Sequence, residues 1–165
     1  MVWTNTSYTL TAGSEIEQFN VEDHNSTTSM SLVGNEFNNI INGNTGANVL
    51  NGMAGNDTIN ANAGADTLIG GDGNDLITGG RGDDLALMGA GDDTFVWNPG
   101  DGSDTIDGGA DTDTLAFNGS AATEIFALGP SGANALLTRD VGGVTMTLTS
   151  VERVELRGGD GVNQF

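Results

Sequence analysis

The chain is dominated by a repeat of nine residues. From Gly34 to Ala116 it divides into nine consecutive units, interrupted only by the insertion Trp97-Asn98. The units read GNEFNNIIN, GNTGANVLN, GMAGNDTIN, ANAGADTLI, GGDGNDLIT, GGRGDDLAL, MGAGDDTFV, PGDGSDTID and GGADTDTLA. A unit this small cannot bury an apolar core alone, so the units must stack on one another. The sequence therefore predicts a solenoid that repeats one local structure.

Each place in the unit suits one conformation. Glycine at the first, second and fourth places allows positive φ and close backbone approach, so the first six residues can form a tight turn. The last three form a short strand whose middle residue, at the eighth place, faces the interior. We predict this interior to consist of Ile41, Leu50, Ile59, Leu68, Ile77, Ala86, Phe95, Ile106 and Leu115. Two units make one circuit, so units n and n+2 should stack about 4.8 Å apart.

The sixth place carries a side-chain oxygen in every unit. Stacking would arrange these residues in two columns. Column one is Asn39, Asp57, Asp75, Asp93 and Asp113, and column two is Asn48, Asp66, Asp84 and Asp104. Two neighbouring carboxylates and the carbonyls of two turns offer about six oxygens, which suits Ca²⁺. The pattern therefore predicts calcium sites between stacked turns.

The predicted ligands are the seven sixth-place aspartates and the glycine-rich turns before them. The aspartates are Asp57, Asp66, Asp75, Asp84, Asp93, Asp104 and Asp113. The glycines are Gly52, Gly55, Gly64, Gly70, Gly71, Gly73, Gly79, Gly80, Gly82, Gly89, Gly91, Gly100, Gly102, Gly108 and Gly109. Counting neighbours along both columns gives roughly four to seven ions. The strongest pairs should be Asp57/Asp75, Asp75/Asp93, Asp66/Asp84 and Asp84/Asp104.

The remaining pairs are expected to differ from these four. Asn39 and Asn48 lack a charge, so the sites that they share should be weak or empty. The pair Asp93/Asp113 spans the Trp97-Asn98 insertion, so its register is less firmly set by the sequence.

The units resemble the RTX nonapeptide G-G-x-G-x-D-x-U-x. GGDGNDLIT at 70–78 matches every defined place, and GGRGDDLAL at 79–87 departs only at the small Ala86. GMAGNDTIN and MGAGDDTFV each lack one glycine. The resemblance implies an all-β fold, a right-handed parallel β-roll with β-strand caps. It also implies a secreted bacterial protein, exported by a type I system with an uncleaved C-terminal signal, that folds outside the cell.

The composition excludes several classes of function. The chain has 23 acidic residues against four arginines, a formal net charge of −19, which excludes a basic nucleic-acid surface. It has no cysteine for disulfides or thiol chemistry. No apolar run is long enough to span a membrane, and the first residues lack the features of a cleavable signal peptide. The end of the sequence resembles the start of another repeat, so we expect a segment of a longer protein.

Three zones are expected along the chain. Residues 1–33 should form an N-terminal β cap, residues 34–116 the roll and residues 117–165 a C-terminal β cap. Strand patterns lie at 124–128, 135–138, 144–149 and 151–156, with a hairpin turn at 139–143. No window combines helical apolar spacing with good helix formers, so we predict no helix.

Other kinds of site are disfavoured. No window has the acid spacing of an EF-hand, and no Gly-x-Gly pair has the third glycine and helix of a dinucleotide site. The acids outside the columns should be solvated surface, as should His24. These acids are Asp72, Asp83, Asp92, Asp101 and Asp107. Trp97 is expected to cap the apolar interior, with exposed stacking on a sugar as the alternative.

These features predict a calcium-binding structural module rather than an enzyme, because neither flank pairs a nucleophile with a base. One apolar residue in nine buries too little to offset the ordering of a glycine-rich chain, so calcium binding should be coupled to folding. Two alternatives stay open. One is an accessory module of a secreted protease or polysaccharide epimerase. The other is an adhesin or ice-binding roll, although the seventh-place threonines are interrupted by Ile, Val and Leu.

Overall fold

The computed structural model describes residues 1–158, and up to residue 118 successive strands alternate between two sheets. The predicted start of a further repeat lies, from residue 159 onward, outside the described residues. The strands are β1 (Val2–Thr4), β2 (Tyr8–Thr9), β3 (Gln18–Val21), β4 (Ser31–Val33), β5 (Ile40–Asn42), β6 (Val49–Ala54), β7 (Thr58–Asn60), β8 (Thr67–Asp72), β9 (Leu76–Thr78), β10 (Leu85–Ala90), β11 (Thr94–Trp97), β12 (Thr105–Ala110), β13 (Thr114–Asn118), β14 (Phe126–Ser131), β15 (Asn134–Arg139), β16 (Val144–Thr149) and β17 (Arg153–Arg157).

The strand order is that of a parallel β-solenoid. The first sheet has eight strands in the order β1-β3-β5-β7-β9-β11-β13-β17, and each neighbouring pair is parallel. The second sheet has nine strands in the order β14-β15-β16-β12-β10-β8-β6-β4-β2. Strands β1 to β12 thus wind through about six circuits. The predicted all-β roll is confirmed.

The stacking register follows the repeat. Ile41 pairs with Ile59 and Ile59 with Ile77 in the first sheet, while Leu50 pairs with Leu68 in the second. All nine eighth-place residues predicted to face the interior are fully buried. Each adds one apolar side chain to a continuous core that no single unit could build. The predicted stacking of units n and n+2 is therefore confirmed.

Both flanks contribute strands to the same two sheets. Phe19 pairs with Ile41 and Leu32 with Leu50, and both flanking residues are fully buried in the interior. The circuits in the N-terminal flank are longer than in the repeats, because Tyr8 pairs with Leu32, 24 residues on. Strand β17 continues the first sheet beside β13. The interior therefore extends past the repeats in both directions.

The C-terminal flank leaves the coil once before rejoining it. Strands β14, β15 and β16 form an antiparallel meander, and β16 then pairs in parallel with β12. The predicted hairpin turn is confirmed between β15 and β16, where a 3₁₀ turn at Val141–Gly143 makes the connection. This turn is the only helical element among residues 1–158, and no helix there is long and apolar enough to cross a membrane.

An aromatic stack lies at the C-terminal end of the interior. The rings of Trp97 and Phe117 stack with centroids 4.0 Å apart, and Phe126 meets Phe117 edge-on at 5.6 Å. The guanidinium of Arg139 lies 5.2 Å from the Trp97 ring centroid and forms a buried ion pair with Glu124. Trp97 is fully buried, and its indole N–H donates to the Gly102 carbonyl at 2.9 Å. It therefore caps the interior as predicted, and the alternative of an exposed sugar-stacking face is wrong.

Candidate metal sites

The sixth-place residues form two hydrogen-bonded columns along the coil. In column one, the backbone N–H of each residue donates to Oδ1 of the aspartate one circuit later, at 2.7 Å for both Asp57 to Asp75 and Asp75 to Asp93. Column two shows the same arrangement, at 2.8 Å for Asp66 to Asp84 and 2.9 Å for Asp84 to Asp104. The bond from Asp93 to Asp113, at 3.0 Å, shows that the register survives the insertion. Oδ1 of each aspartate thus accepts a hydrogen bond from the backbone N–H of the column residue one circuit earlier.

The other carboxylate oxygen has no protein partner. Within residues 1–158, Oδ2 of all seven column aspartates is buried without a hydrogen bond. The residues themselves are at most 3 % exposed. An ionised oxygen buried without a hydrogen bond or a countercharge is strongly unfavourable. Seven such oxygens in two regular columns indicate positions that a cation would satisfy.

First-place glycines leave room for these oxygens. A Cβ added to Gly70 would overlap both Oδ2 of Asp75 and the carbonyl oxygen of Met88, which belongs to the next circuit. A Cβ on Gly52 would likewise collide with Oδ2 of Asp57. Gly79 and Gly108 stand in the same relation to Asp84 and Asp113. At Gly52, Gly70 and Gly108, a free carboxylate oxygen and a backbone carbonyl therefore share a space that the glycine leaves open.

The glycines of the turn act in two different ways. Second-place Gly71, Gly80, Gly89, Gly100 and Gly109 and fourth-place Gly55, Gly64, Gly73, Gly82 and Gly91 have positive φ. First-place Gly52, Gly70, Gly79 and Gly108 do not, nor does fourth-place Gly102. Of the two properties expected of glycine, the first place therefore uses close approach and not positive φ. Glycine there gives the aspartate space, although Ala61, Met88 and Pro99 stand at the same place in other units. Most second- and fourth-place glycines instead have a left-handed backbone that disfavours other residues.

Three other residues occupy these left-handed positions. Met53 and Asn62 stand at the second place with φ of 82° and 79°, and Asp111 stands at the fourth place with φ of 80°. A non-glycine residue in this region costs about 1–2 kcal/mol. The turn keeps its shape despite these substitutions, because the neighbouring circuits fix it on both sides.

Burial raises the pKa of the column carboxyl groups above their ordinary value of 3.8. The pKa is raised to about 6 for Asp57, Asp66 and Asp75, to about 7 for Asp93 and Asp104, and to about 8 for Asp84. Desolvation is the largest cause, and the hydrogen bond from the preceding circuit opposes it. Like charges in the same column raise the pKa of Asp84 further. Burial raises the pKa of Asp113 as well.

The donor set fits a hard cation. No three His, Cys, Asp or Glu side chains converge on one point in the described part of the chain. Each gap in a column instead offers carboxylates from two circuits together with turn carbonyls. Oxygen-only coordination of this kind suits Ca²⁺, whereas zinc prefers imidazole and thiolate ligands. The residues present therefore fit calcium.

A family comparison agrees with this chemistry. A model of the RTX calcium-binding nonapeptide repeat (4 copies) matches residues 33–68, 61–95 and 100–119, which together make up half of the chain. The chain belongs to the RTX calcium-binding nonapeptide repeat family. RTX repeats bind calcium, form a generally non-catalytic structural module and are typical of secreted bacterial proteins. A search of curated proteins finds no match to the chain.

The N-terminal pair in each column of the RTX roll contains an amide. Asn48 Nδ2 donates to the Gly46 carbonyl and, at 3.3 Å, to Oδ1 of Asp66. Asn39 Nδ2 donates to the Ile16 carbonyl at 3.2 Å, and its Oδ1 accepts from Asn35 N–H. In column two, the amide thus bridges the first gap through Oδ1 of Asp66, whose Oδ2 still has no hydrogen-bond partner among the described residues. Weak or empty sites at these two gaps stay our prediction.

An Asn48→Asp variant should bind about one more calcium ion than the wild-type chain. The new carboxylate would complete the pair with Asp66, and it would destabilise the calcium-free roll because it adds a buried charge beside Asp66. Ion counts from native mass spectrometry, compared with melting temperatures in calcium-free buffer, check both effects. Asn56→Asp is the matched control, since Asn56 is exposed and its Oδ1 accepts a backbone N–H as a carboxylate would. An unchanged ion count in Asn48→Asp would contradict the pairing.

A second ladder of side chains escaped the sequence prediction. At the fifth place of column one, each side-chain oxygen accepts the backbone N–H of its counterpart one circuit later, as in Asn56 from Asn74 N and Asp92 from Thr112 N. Asp83 accepts from Ser103 N in the same manner, and Asp101 accepts from Asn98 N. Asp72, Asp83 and Asp92 are exposed as expected, but Asp101 and Asp107 are partly buried. Several off-column acids therefore support the turns rather than only solvating them.

The sequence analysis also did not predict which residues follow the last aspartate of each column. Asp113 N–H donates to Oε2 of Glu152 at 2.9 Å, so column one continues into the flank. Asp104 N–H meets Sδ of Met146 at 3.5 Å, so column two ends without a carboxylate. The signal for Glu152 was present in the sequence, because it stands two residues before the apolar Val154, as Asp113 does before Leu115.

Proposed function

We propose that this chain is a calcium-dependent folding module of a secreted bacterial protein, without catalytic activity of its own. The buried Oδ2 atoms of the seven column aspartates carry this proposal. Without a cation they place unpaired charge inside the roll, and with one they become ligands that join consecutive circuits. Calcium binding would then supply stability that the narrow apolar interior lacks.

Five gaps have aspartates on both sides. They are Asp57/Asp75, Asp75/Asp93, Asp93/Asp113, Asp66/Asp84 and Asp84/Asp104. The gaps at Asn39 and Asn48 have one carboxylate each, which sets seven as the upper limit for the repeats. We propose that the five aspartate pairs fill first, because calcium affinity rises with the number of charged ligands.

Secretion follows from the same chemistry. A chain that lacks stable structure at the low calcium level of the cytoplasm can pass through an export channel, and it can fold where calcium is abundant. Extracellular calcium modules bind with Kd of about 10⁻⁴–10⁻³ M, which matches this division. This chain would belong to that class of module.

Circular dichroism during a calcium titration of chelator-treated protein tests the proposal. We expect a cooperative gain of β signal between about 0.1 and 10 mM calcium. Magnesium should not reproduce it, because Mg²⁺ demands tight octahedral geometry and gives up its water reluctantly. If the chelated protein kept the same β spectrum and melting temperature as the loaded protein, packing alone would hold the roll and the proposal would fall.

A further inference from the structure

Column one does not end with the last repeat. The backbone N–H of Asp113 donates to Oε2 of Glu152 at 2.9 Å, as Asp57 donates to Asp75 at 2.7 Å. Glu152 directly precedes β17, as the column aspartates directly precede strands of the same sheet. The next bond is also preserved, since Arg153 N–H donates to the Asp113 carbonyl at 3.0 Å, as Leu76 N–H does to Asp57. Glu152 thus occupies the register position of a sixth-place aspartate, although it is exposed whereas the column aspartates are buried.

A backbone carbonyl completes the likeness. A Cβ added to Gly108 would overlap the carbonyl oxygen of Ser150 and also contact Oδ2 of Asp113. Gly70 has the corresponding two neighbours two places earlier in the column, the carbonyl of Met88 and Oδ2 of Asp75. Ser150 reaches this position with a left-handed φ of 49°. The gap after Asp113 therefore has the same kinds of ligand as a gap between two repeats.

The free oxygen of Asp113 points to a ligand in this gap. Asp113 is fully buried, and its Oδ2 has no hydrogen-bond partner within residues 1–158. Glu152 makes no ion pair in that part of the chain, because both nearby arginines, Arg153 and Arg157, pair with Glu155. Neither carboxylate thus has a protein cation to balance it.

Column two provides an internal contrast. Its last aspartate, Asp104, also has a buried Oδ2 without a partner, but the next residue in the column is Met146. A thioether is a poor ligand for calcium, which prefers oxygen. The two columns therefore end differently, and only column one offers a second carboxylate beyond the repeats.

We propose that Asp113, Glu152 and the Ser150 carbonyl bind one additional calcium ion, which fastens β17 to the end of the roll. This inference rests on the proposed calcium binding by the repeats. The turn from β16 to β17 has only three residues, Ser150 to Glu152, so it supplies fewer carbonyls than a repeat. The site should therefore be the last in column one to fill.

The first test compares Glu152→Gln with Glu155→Gln in the full chain. Each variant removes one negative charge from the same segment, and the glutamine at 152 can still accept the Asp113 N–H. We expect Glu152→Gln to bind one calcium ion fewer than wild type by native mass spectrometry, and Glu155→Gln to bind the wild-type number. At calcium about ten times the Kd of this site, amide hydrogen exchange in β17 should be roughly tenfold faster in Glu152→Gln. Amides of β7 and β9 should stay protected.

A second variant distinguishes the loss of a shared calcium site from a purely structural effect of the substitution at position 152. Asp113→Asn should lose two ions, because Asp113 faces both Asp93 and Glu152. The double variant Asp113→Asn/Glu152→Gln should lose no more than Asp113→Asn alone. Additive losses, or a wild-type ion count in Glu152→Gln, would overturn the inference while the repeats still bind calcium. A wild-type chain that binds no calcium would instead overturn the proposed function.

Discussion

Replacement of Asp75 by asparagine should remove two calcium ions from the roll rather than one. Asp75 lies between Asp57 and Asp93 in column one, and its carboxylate takes part in the gaps on both sides. Asparagine keeps the oxygen that accepts the Asp57 N–H, so the backbone ladder survives. The charge that calcium needs is lost from two neighbouring sites at once.

The expected effect is large enough to unfold the repeats. At free calcium about 100 times the Kd, each filled site contributes about 2.7 kcal/mol, so the loss of two removes about 5 kcal/mol. The whole stability of a small domain is about 5–15 kcal/mol. The midpoint of the calcium titration should therefore shift to higher concentration, and native mass spectrometry should count two ions fewer.

The sign of the effect should reverse without calcium. Burial disfavours the ionised form of Asp75 and raises its pKa to about 6, so the neutral asparagine should stabilise the calcium-free roll. Asp72→Asn is the matched control, since Asp72 is exposed and lies outside the column. Destabilisation of Asp75→Asn by the same amount with and without calcium would show that Asp75 acts through packing alone.

The calcium-free roll should lose stability as the pH rises from about 4, just above the unfolded pKa, to about 8, the highest folded value. The column carboxyl groups titrate near 3.8 in the unfolded chain, but the folded state raises their pKa to between about 6 and about 8. Protons therefore bind the folded state more tightly. Their contribution to stability is complete below pH 3.8 and disappears as the pH passes through the raised values.

Calcium should invert this dependence. The ion binds the ionised carboxylates, so loaded protein should be stable at high pH and should release calcium on acidification through the same range. Thermal unfolding in calcium-free and calcium-containing buffers between about pH 5.5 and about pH 8, the part of this window above the pI of about 4.1, measures both trends. Asp84→Asn should flatten the high-pH end of the calcium-free curve, because Asp84 has the highest pKa. Acid destabilisation of the calcium-free protein would contradict the assignment.

The features fixed by the repeat could be predicted from the sequence. A period of nine with an aliphatic residue at the eighth place determines which side chains face inward, and Ile41, Leu68 and Ile106 are buried accordingly. Stacking by two units then requires the sixth-place residues to align. Each such inference depends only on local geometry repeated many times, so an error in one unit is corrected by its neighbours.

Features without that repetition could not be predicted. The N-terminal flank lacks a period, so its entry into the same sheets depends on pairings such as Phe19 with Ile41 that no local pattern reveals. Glu152 has the spacing of a column residue before Val154, but the meander β14 to β16 separates it from Asp113, so this single spacing does not place it in the column. The space beside Gly70 depends on a carbonyl from the next circuit, so the residue type alone could not distinguish spatial need from backbone need.

The two ends of the coil differ in what holds them. At the N-terminal end the first gaps contain Asn39 and Asn48, whereas the C-terminal end carries the Trp97, Phe117 and Phe126 stack and the buried pair of Arg139 and Glu124. Those aromatic and ionic contacts need no metal. We therefore expect the C-terminal end to stay folded without calcium and to nucleate the folding of the other circuits. The two ends of the solenoid thus differ in how strongly they depend on calcium. We expect the solenoid to unravel from its N-terminal end as calcium falls and to refold toward that end when calcium returns.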